Sequence, residues 1–550
     1  RKRQLLLGRD PVGIHPLFYT RQSGRLVFAS EIKALFADSA VPRRIDPQTL
    51  SDIFIFWTPM ADNTAFETIW QLNPGHYALF NPQGFSTHRY WDIPMDGGRQ
   101  GTRSLESWQE EFCTLMADAT HIRLRADVPV GAYLSGGIDS TFASSLIKNQ
   151  IHHRLCTFSV AFTDQRFDET AFQDDAVQAL GTAHHRTQCT ESDIAADFEP
   201  VIWHTETPIL RTAPAPLFRL SKLVRDSGFK VVLTGEGADE FFAGYNIHKE
   251  AMVRRFWAKN PASAIRPKLL ERLYPYIFSG ANDQAKGYLK SFFQKELEAV
   301  DSPAYSHLLR WRNTGHLRAF FSKEIADGIP PVDQWIERFS MCLPDDFMSR
   351  SPLSRAQYIE IKLFLSNYLL SSQGDRMIMA HSVEGRYPFL DPRVIAFAFR
   401  LPAKYRLNGL EEKFIIKKAA ANIVPETILN RLKQPFRAPI SAAFFHPNHP
   451  AYVDDLLSDT AIRQKGYFDP ARVSSLVAKG RRNNGRLLSE RENMALAGIL
   501  STQLLDEQFL RRFPFQAVRA PENWMPCHEK NVLFSRGSTH ERAASAVAHS

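Results

Sequence analysis

The residues best suited to do chemistry lie in Ser135-Gly136-Gly137-Ile138-Asp139-Ser140, between the apolar run Val128–Leu134 and the segment Thr141–Ile147. That order reads as strand, tight turn, helix. Two glycines let the backbone turn sharply, so successive N–H groups point into one concavity. A concavity of this kind at a helix N-terminus attracts phosphate. Ser135 and Ser140 add hydroxyl donors, while Asp139, an acid among anion binders, makes sense if it holds Mg²⁺ between phosphate and protein. A bland Ser/Gly-rich turn is the competing reading.

The commoner phosphate loops are not present. No G-x-x-x-x-G-K-[ST] occurs, and Gly235-Glu236-Gly237 has Glu240 where the third glycine of G-x-G-x-x-G would stand. The S-G-G-[IL]-D-S pattern instead resembles the pyrophosphate loop of N-type ATP pyrophosphatases, which cleave ATP to AMP and pyrophosphate.

The elements that must position these residues follow from apolar periodicity. Helical spacing from Leu105 to Arg123 leads to the strand before Ser135, and further strands are expected at Leu155–Phe162 and Lys230–Thr234 with helices between. Strands alternating with helices predict a parallel α/β sheet with right-handed crossovers. Ligands of such sheets bind beyond the carboxyl ends of the strands. Ser135-Gly136-Gly137 and Gly235-Glu236-Gly237 both fall there, so the two motifs are expected to face one pocket.

Residues 1–95 read as a β-rich unit with turns at Asp10–Gly13, Asn73–Gly75 and Asn81–Gly84. A Gly-containing polar stretch from Pro94 to Arg103 marks a boundary, 104–510 forms the α/β unit, mostly helical beyond residue 250, and 511–550 reads as a turn-prone tail. Helices are expected at Tyr358–Leu365 and Leu487–Leu510. His184-His185 falls where a sheet strand should begin and reads as structural, with no metal-ligand spacing to other His or Cys.

The 550 residues are too many for one core, so two or more domains are expected, and 44% hydrophobic content suffices for well-packed ones. A net charge of +8 is spread along the chain without a Lys/Arg stripe, which argues against nucleic acid as a partner. Lys479-Gly480-Arg481-Arg482 with Arg486 reads as a solvated loop between helices. Five scattered cysteines without C-x-x-C spacing suit a reducing, cytoplasmic location. No run of eighteen apolar residues points to a membrane. The chain opens on Arg1 with no Met and runs straight into an apparent strand, so a fragment is expected.

Several blocks together resemble class B, glutamine-hydrolysing asparagine synthetases. Arg9–Tyr19 and Ser30–Leu35 are similar to the C-terminal part of their glutaminase domain, and Ser135–Ser140 to their pyrophosphate loop. Leu233–Tyr245, Asp375–Asp391 and the lysine motif Arg431-Leu432-Lys433-Gln434-Pro435-Phe436 follow in the family's order. The resemblance implies an ATP-pyrophosphatase-type (adenine nucleotide α-hydrolase-like) synthetase domain, preceded by a truncated remnant of an Ntn-type glutaminase domain. It also implies an enzyme that activates a carboxylate, in this family aspartate, as an acyl-adenylate. Ammonia then gives the amide.

By position, Ser135, Gly136, Gly137 and Ser140 would hold pyrophosphate, and Leu134, Val160, Thr234 and Gly235 would shape the adenosine pocket. Asp139 and Asp239 would hold Mg²⁺, with Glu240 as the alternative to Asp239. Lys433 would neutralise charge at the α-phosphate, and Glu236 matches the family's general base. Asp375, Glu384 and Arg386 could meet the acid substrate or equally form fold-stabilising ion pairs.

Glutamine-dependent members use an N-terminal cysteine nucleophile, whereas here no cysteine precedes Cys113. The chain as given is therefore expected to use ammonia and not glutamine. Amidation of another acid, such as a cell-envelope, polysaccharide or secondary-metabolite precursor, is the alternative within the same chemistry. A non-catalytic ATP-binding scaffold is the alternative outside it. A homodimer is left open.

Overall fold

Short strands and tight turns open the chain, as the turn residues require. The computed structural model describes residues 4–514 apart from 23, 98–102, 152 and 275–282, so most of the expected tail lies outside the described residues. Strands β1 (Leu5–Gly8), β2 (Phe18–Gln22), β3 (Arg25–Ala29), β4 (Trp70–Gln71), β5 (His76–Asn81) and β6 (Gly84–Arg89) form two antiparallel sheets ordered β1-β5-β6 and β3-β2-β4. The β5–β6 hairpin closes through Asn81–Gly84, where Asn81 Oδ1 accepts the Gln83 N–H at 2.9 Å and Gly84 takes φ 132°. Leu7, Tyr19, Leu72 and Ala78 pack between the two sheets.

After helix Leu105–Arg123 comes a five-stranded sheet built from β7 (Val130–Tyr133), β8 (Cys156–Phe162), β9 (Ala183–Cys189), β10 (Val231–Leu233) and β11 (Glu384–Arg386). Every neighbouring pair is parallel, and the order is β11-β10-β7-β8-β9. Helices Ile138–Lys148 and Thr170–Leu180 make the first two crossovers, and Glu191–Thr205 with Pro214–Asp226 lead from β9 to β10.

Alternation along the strands supplies two cores, as period-two spacing demands. Val130, Ala132, Val231 and Leu233 pack with Ile147 and Leu155, whereas Phe158 and Val232 pack with Leu220, Val224, Ile378 and Val383. The chain runs from β7 outward to β9, then returns to place β10 on the other side of β7. The gap between the carboxyl ends of β7 and β10 is therefore the switch point where ligands of such sheets bind.

His184 lies within β9 and is hydrogen-bonded to Thr157 and Ser159; burial holds its imidazole down to about 4, in keeping with a structural role. The expected helix at Tyr358–Leu365 crosses from α-helix Pro352–Ile359 into a π-type helix, Glu360–Asp375. Helix Glu490–Leu505 and a wider turn to Arg511 occupy the expected terminal helix. The basic stretch is not a loop at its start. Lys479 and Arg481 end helix Pro470–Arg481 and pair with Glu492 and Asp454, since basic side chains suit a helix C-terminus. Among the described residues no helix is long and apolar enough to cross a membrane.

One buried carboxylate ties the β-rich segment to the sheet within the unit that ends at Arg512. Glu206, fully buried with φ 53°, accepts the N–H groups of Ile32 at 2.8 Å and Lys33 at 2.7 Å. It also pairs with Lys33 Nζ at 3.3 Å and Arg376 at 2.7 Å. Burial alone would raise its pKa, but Lys33, Arg376 and the two amides outweigh it and hold the carboxyl below its usual range. Glu206→Gln should lower stability to urea by about 3–5 kcal/mol at neutral pH, because buried Arg376 loses its counter-charge and Lys33 is left with Glu31 alone. With a folded pKa below the unfolded one, that contribution is present above the unfolded value and lost as pH falls through the folded one. An unchanged urea midpoint would contradict this.

Candidate active site

A cavity of about 590 Å³ opens at the switch point, and both motifs stand on its wall. Leu134 leaves β7 with its N–H on the Phe158 carbonyl at 2.9 Å, and the chain then turns through Gly136 at φ 73°. A Cβ at Gly136 would lie 2.6 Å from the Gln173 nitrogen, so only glycine permits this approach to helix Thr170–Leu180. Ser140 Oγ closes the loop. It accepts from the Ser135 N–H at 3.1 Å, lies 3.0 Å from Ser135 Oγ and donates to the Gly137 carbonyl at 3.1 Å. Gly137 caps helix Ile138–Lys148 without a side-chain acceptor, leaving the first amides of the helix for an anion.

The second motif lies against the first. A Cβ on Gly235 would meet the Asp139 backbone and the Ser140 nitrogen at 3.0 Å. Gly237, at φ 96°, starts the short helix Ala238–Phe241 and turns Asp239 toward Asp139. Leu134, Ser135, Gly137, Asp139, Ser140, Val160, Thr234, Gly235, Glu236, Asp239 and Lys433 all line the cavity. Gly136 stands just behind the wall, its carbonyl accepting from Arg431 at 3.3 Å.

The charge at the centre comes partly from a residue without a sequence signal. Lys413 Nζ lies 2.5 Å from Asp139 Oδ2 and 2.7 Å from Asp239 Oδ1, and Lys433 Nζ lies 2.6 Å from Asp239 Oδ2. Lys413 is 1% exposed and has φ 53°; a side chain at Gly244 would collide with both it and Asp239. Burial would raise the Asp239 carboxyl, but the two lysines outweigh it and hold it down to about 2. The Asp139 carboxyl is raised by burial, which Lys413 only partly offsets. Burial pushes Glu236 up to about 7, opposed by Lys433 and reinforced by Asp239 and Asp139.

Glu240 is different. It is buried off the cavity wall, accepts the Tyr245 hydroxyl at 2.7 Å, and is pushed up to about 8 by burial and by Asp239. Of the two acids, Asp239 has the geometry and charge of a cation ligand.

A cation between protein and phosphate suits this pair. Asp139 Oδ1 is buried, on the cavity wall and without a hydrogen-bond partner among the described residues. Among the described residues no group of three or more His, Cys, Asp or Glu could cage a metal. Mg²⁺ does not require a cage, since it binds through one or two carboxylates plus substrate phosphates and water. Asp139 and Asp239 are thus the residues able to hold it.

Asp375, Glu384 and Arg386 are not among the residues on the cavity wall. Asp375 is buried with its Oδ1 3.2 Å from His15 Nδ1. Glu384 accepts from Arg386 at 2.7 Å, and Arg386 also donates to the carbonyls of Arg123 and Arg125 at 2.8 Å. The structure brings these three to fold-stabilising contacts and not to the site formed by the two motifs.

A parallel sheet carrying two glycine-rich acidic motifs and two lysines at its switch point defines an α/β protein with an anion-directed site. The chain belongs to the asparagine synthase family, whose model matches residues 111–507, and a glutamine amidotransferase domain model matches residues 1–91. It is 29% identical over 437 residues to asparagine synthetase [glutamine-hydrolyzing] 1 of Bacillus subtilis, covering 78% of this chain and 65% of that protein. It is 30% identical over 448 residues to a putative asparagine synthetase [glutamine-hydrolyzing] of Mycobacterium tuberculosis, covering 80% and 65%. It is also 28% identical over 524 residues to amidase chyE of Penicillium rubens, covering 87% and 74%. The chain thus spans just under two thirds of the first two relatives.

Removing the shared cation should expose its weight. Lys413→Met leaves two buried carboxylates facing each other with Lys433 alone, so stability should fall by about 3–5 kcal/mol at neutral pH. The deficit should shrink as pH falls, because a carboxyl deprived of its cation takes a proton at higher pH than in the wild type. Urea titrations of both proteins at several pH values check this, and a pH-independent deficit would contradict it.

Proposed function

We propose that this protein converts a carboxylic acid to its amide at the expense of ATP, with aspartate as the acid and ammonia as the nucleophile. The observation that carries this reading is the meeting of Asp139, Glu236 and Asp239 with Lys413 and Lys433 on one cavity wall at the sheet's switch point. Glutamine hydrolysis is the proposed source of the ammonia, in keeping with the amidotransferase match over residues 1–91. The proposed location is the cytoplasm.

In the first half-reaction the turn at Ser135, Gly136, Gly137 and Ser140 receives the departing pyrophosphate. Leu134, Val160, Thr234 and Gly235 enclose the adenosine. A carboxylate oxygen of the acid attacks the α-phosphorus as the bond to pyrophosphate breaks, leaving an acyl-adenylate. Lys433, and Lys413 beside it, neutralise the charge gathering on the phosphoryl oxygens, where preorganised donors act most strongly. Asp139 and Asp239 would hold Mg²⁺, which would supply further positive charge for the phosphates.

In the second half-reaction ammonia attacks the acyl carbon and must shed a proton before AMP departs with one of the acid's oxygens. Glu236 takes that proton, since a carboxylate pushed up to about 7 is a far better base near neutrality than an ordinary one. The comparable identity to amidase chyE supports a second reading, in which the same chemistry serves another acid.

Mg-ATP, aspartate and ammonium should together yield AMP, pyrophosphate and asparagine. ATP binding without acid-dependent AMP would overturn aspartate as the substrate. Glu236→Gln should lower amide formation about 10²-fold or more, while acid-dependent pyrophosphate exchange persists. With hydroxylamine as nucleophile, which stays unprotonated near neutrality, the amidation rate should fall tenfold per pH unit below about 7 and level off above it. Unchanged amidation in this variant would remove Glu236 from the mechanism.

A further inference from the structure

The cavity extends past the phosphate motifs to a wall formed by Trp57, Arg211, Arg310, Glu360, Phe364 and Tyr368. Trp57 comes from the first ninety residues and ends helix Pro47–Phe56 at φ 73°, a conformation that favours glycine and strains a bulky aromatic residue. Strain of this kind gathers at ligand clamps. Its ring is flanked by two guanidinium groups, Arg211 at 4.8 Å and Arg310 at 5.1 Å from the centroid. Phe364 meets it edge-on at 5.7 Å and stacks on Tyr368 at 4.9 Å.

Among the described residues, two donors on this wall lack partners. Trp57 Nε1 and the Tyr368 hydroxyl are both buried without a hydrogen bond, and Tyr368 as a whole is only 4% exposed. An unpaired buried donor is costly unless a ligand meets it. The cations are incompletely committed as well. Arg310 donates to buried Glu360 at 2.6 Å, but among the described residues Arg211 pairs only with Glu490, whose side chain is 58% exposed. An exposed partner of that kind contributes little, so Arg211, itself 19% exposed, keeps donors for another acceptor.

We propose that this wall is an acid-selecting subsite, in which Trp57, Arg211, Arg310 and Tyr368 receive a second anionic group of the substrate, a carboxylate remote from the one being amidated. The inference rests on the amidation reading above and deepens it. It assigns selection of a dicarboxylic acid to residues outside the two motifs, one of them contributed by the β-rich segment. No bond is made or broken here. The subsite acts through affinity and orientation, so its loss changes KM for the acid.

Acid-dependent AMP release is to be measured with L-aspartate, L-glutamate and succinate as dicarboxylates, and with β-alanine and phenylacetate as monocarboxylates. The variants are Tyr368→Phe, which removes only an unpartnered hydroxyl and keeps the stack on Phe364, and Arg211→Met. The wild type should prefer a dicarboxylate by tenfold or more in kcat/KM. Both variants should raise KM for that dicarboxylate about tenfold, leaving kcat, KM for ATP and KM for monocarboxylates unchanged. Unchanged KM for the preferred dicarboxylate in both variants, or a monocarboxylate as the best substrate, would overturn the subsite while sparing the amidation reading. No AMP with any of the five acids would overturn that reading and the subsite with it.

Discussion

The ammonium of Lys413 joins two carboxylates that rise from the ends of two different strands, and the site can exist only because it is there. Asp139 follows β7 and Asp239 follows β10, and the return of the chain to β7 places both acids in a space largely closed to water. Two carboxylates so placed cannot both stay ionised without a cation. Local backbone choices serve this contact. Lys413 accepts a left-handed conformation, Gly244 leaves room for its side chain, and Gly235 lets the two turns touch. Lys433 adds a second positive charge on the Asp239 side. The cluster sets two ammonium groups against the two aspartates.

That balance also separates three neighbouring acids by environment. Asp239, held by two lysines, is kept down to about 2, whereas Glu236 and Glu240 are pushed up to about 7 and about 8 by burial beside it. Acids whose pKa values are driven apart within one turn can take separate roles, one binding cations and another moving protons. Glu240 spends its neutral carboxyl on Tyr245 and so supports the motif from behind.

Much of this was legible in the sequence because it is local. The helix expected from Leu105 to Arg123 has those bounds, and the strands before both motifs lie within two residues of their expected ends, since apolar periodicity is set by the burial it reports. The convergence of the two motifs followed from the strand-end rule for parallel sheets. What could not be read was long-range. Lys413 sits in Glu411-Glu412-Lys413-Phe414-Ile415-Ile416-Lys417-Lys418, which reads as an ordinary charged helix, and only the fold carries it to Asp139, 274 residues away. Trp57 gave no signal either, since its use depends on Arg211 arriving from a distant loop and Arg310 from a distant helix. Asp375, Glu384 and Arg386 show the converse. Their types suited a substrate, but neighbours invisible in the sequence bind them to His15, to each other and to backbone carbonyls.

The buried tie at Glu206 and the position of Trp57 make the β-rich segment part of the same folded unit as the sheet and part of its cavity wall. The central claim is that this cavity activates a carboxylate by joining it to the α-phosphorus of ATP, and the fate of one oxygen atom tests it most directly. Aspartate labelled with heavy oxygen in its side-chain carboxylate should yield AMP carrying one labelled oxygen, as mass spectrometry would register. Amide formed alongside unlabelled AMP would contradict activation through an acyl-adenylate.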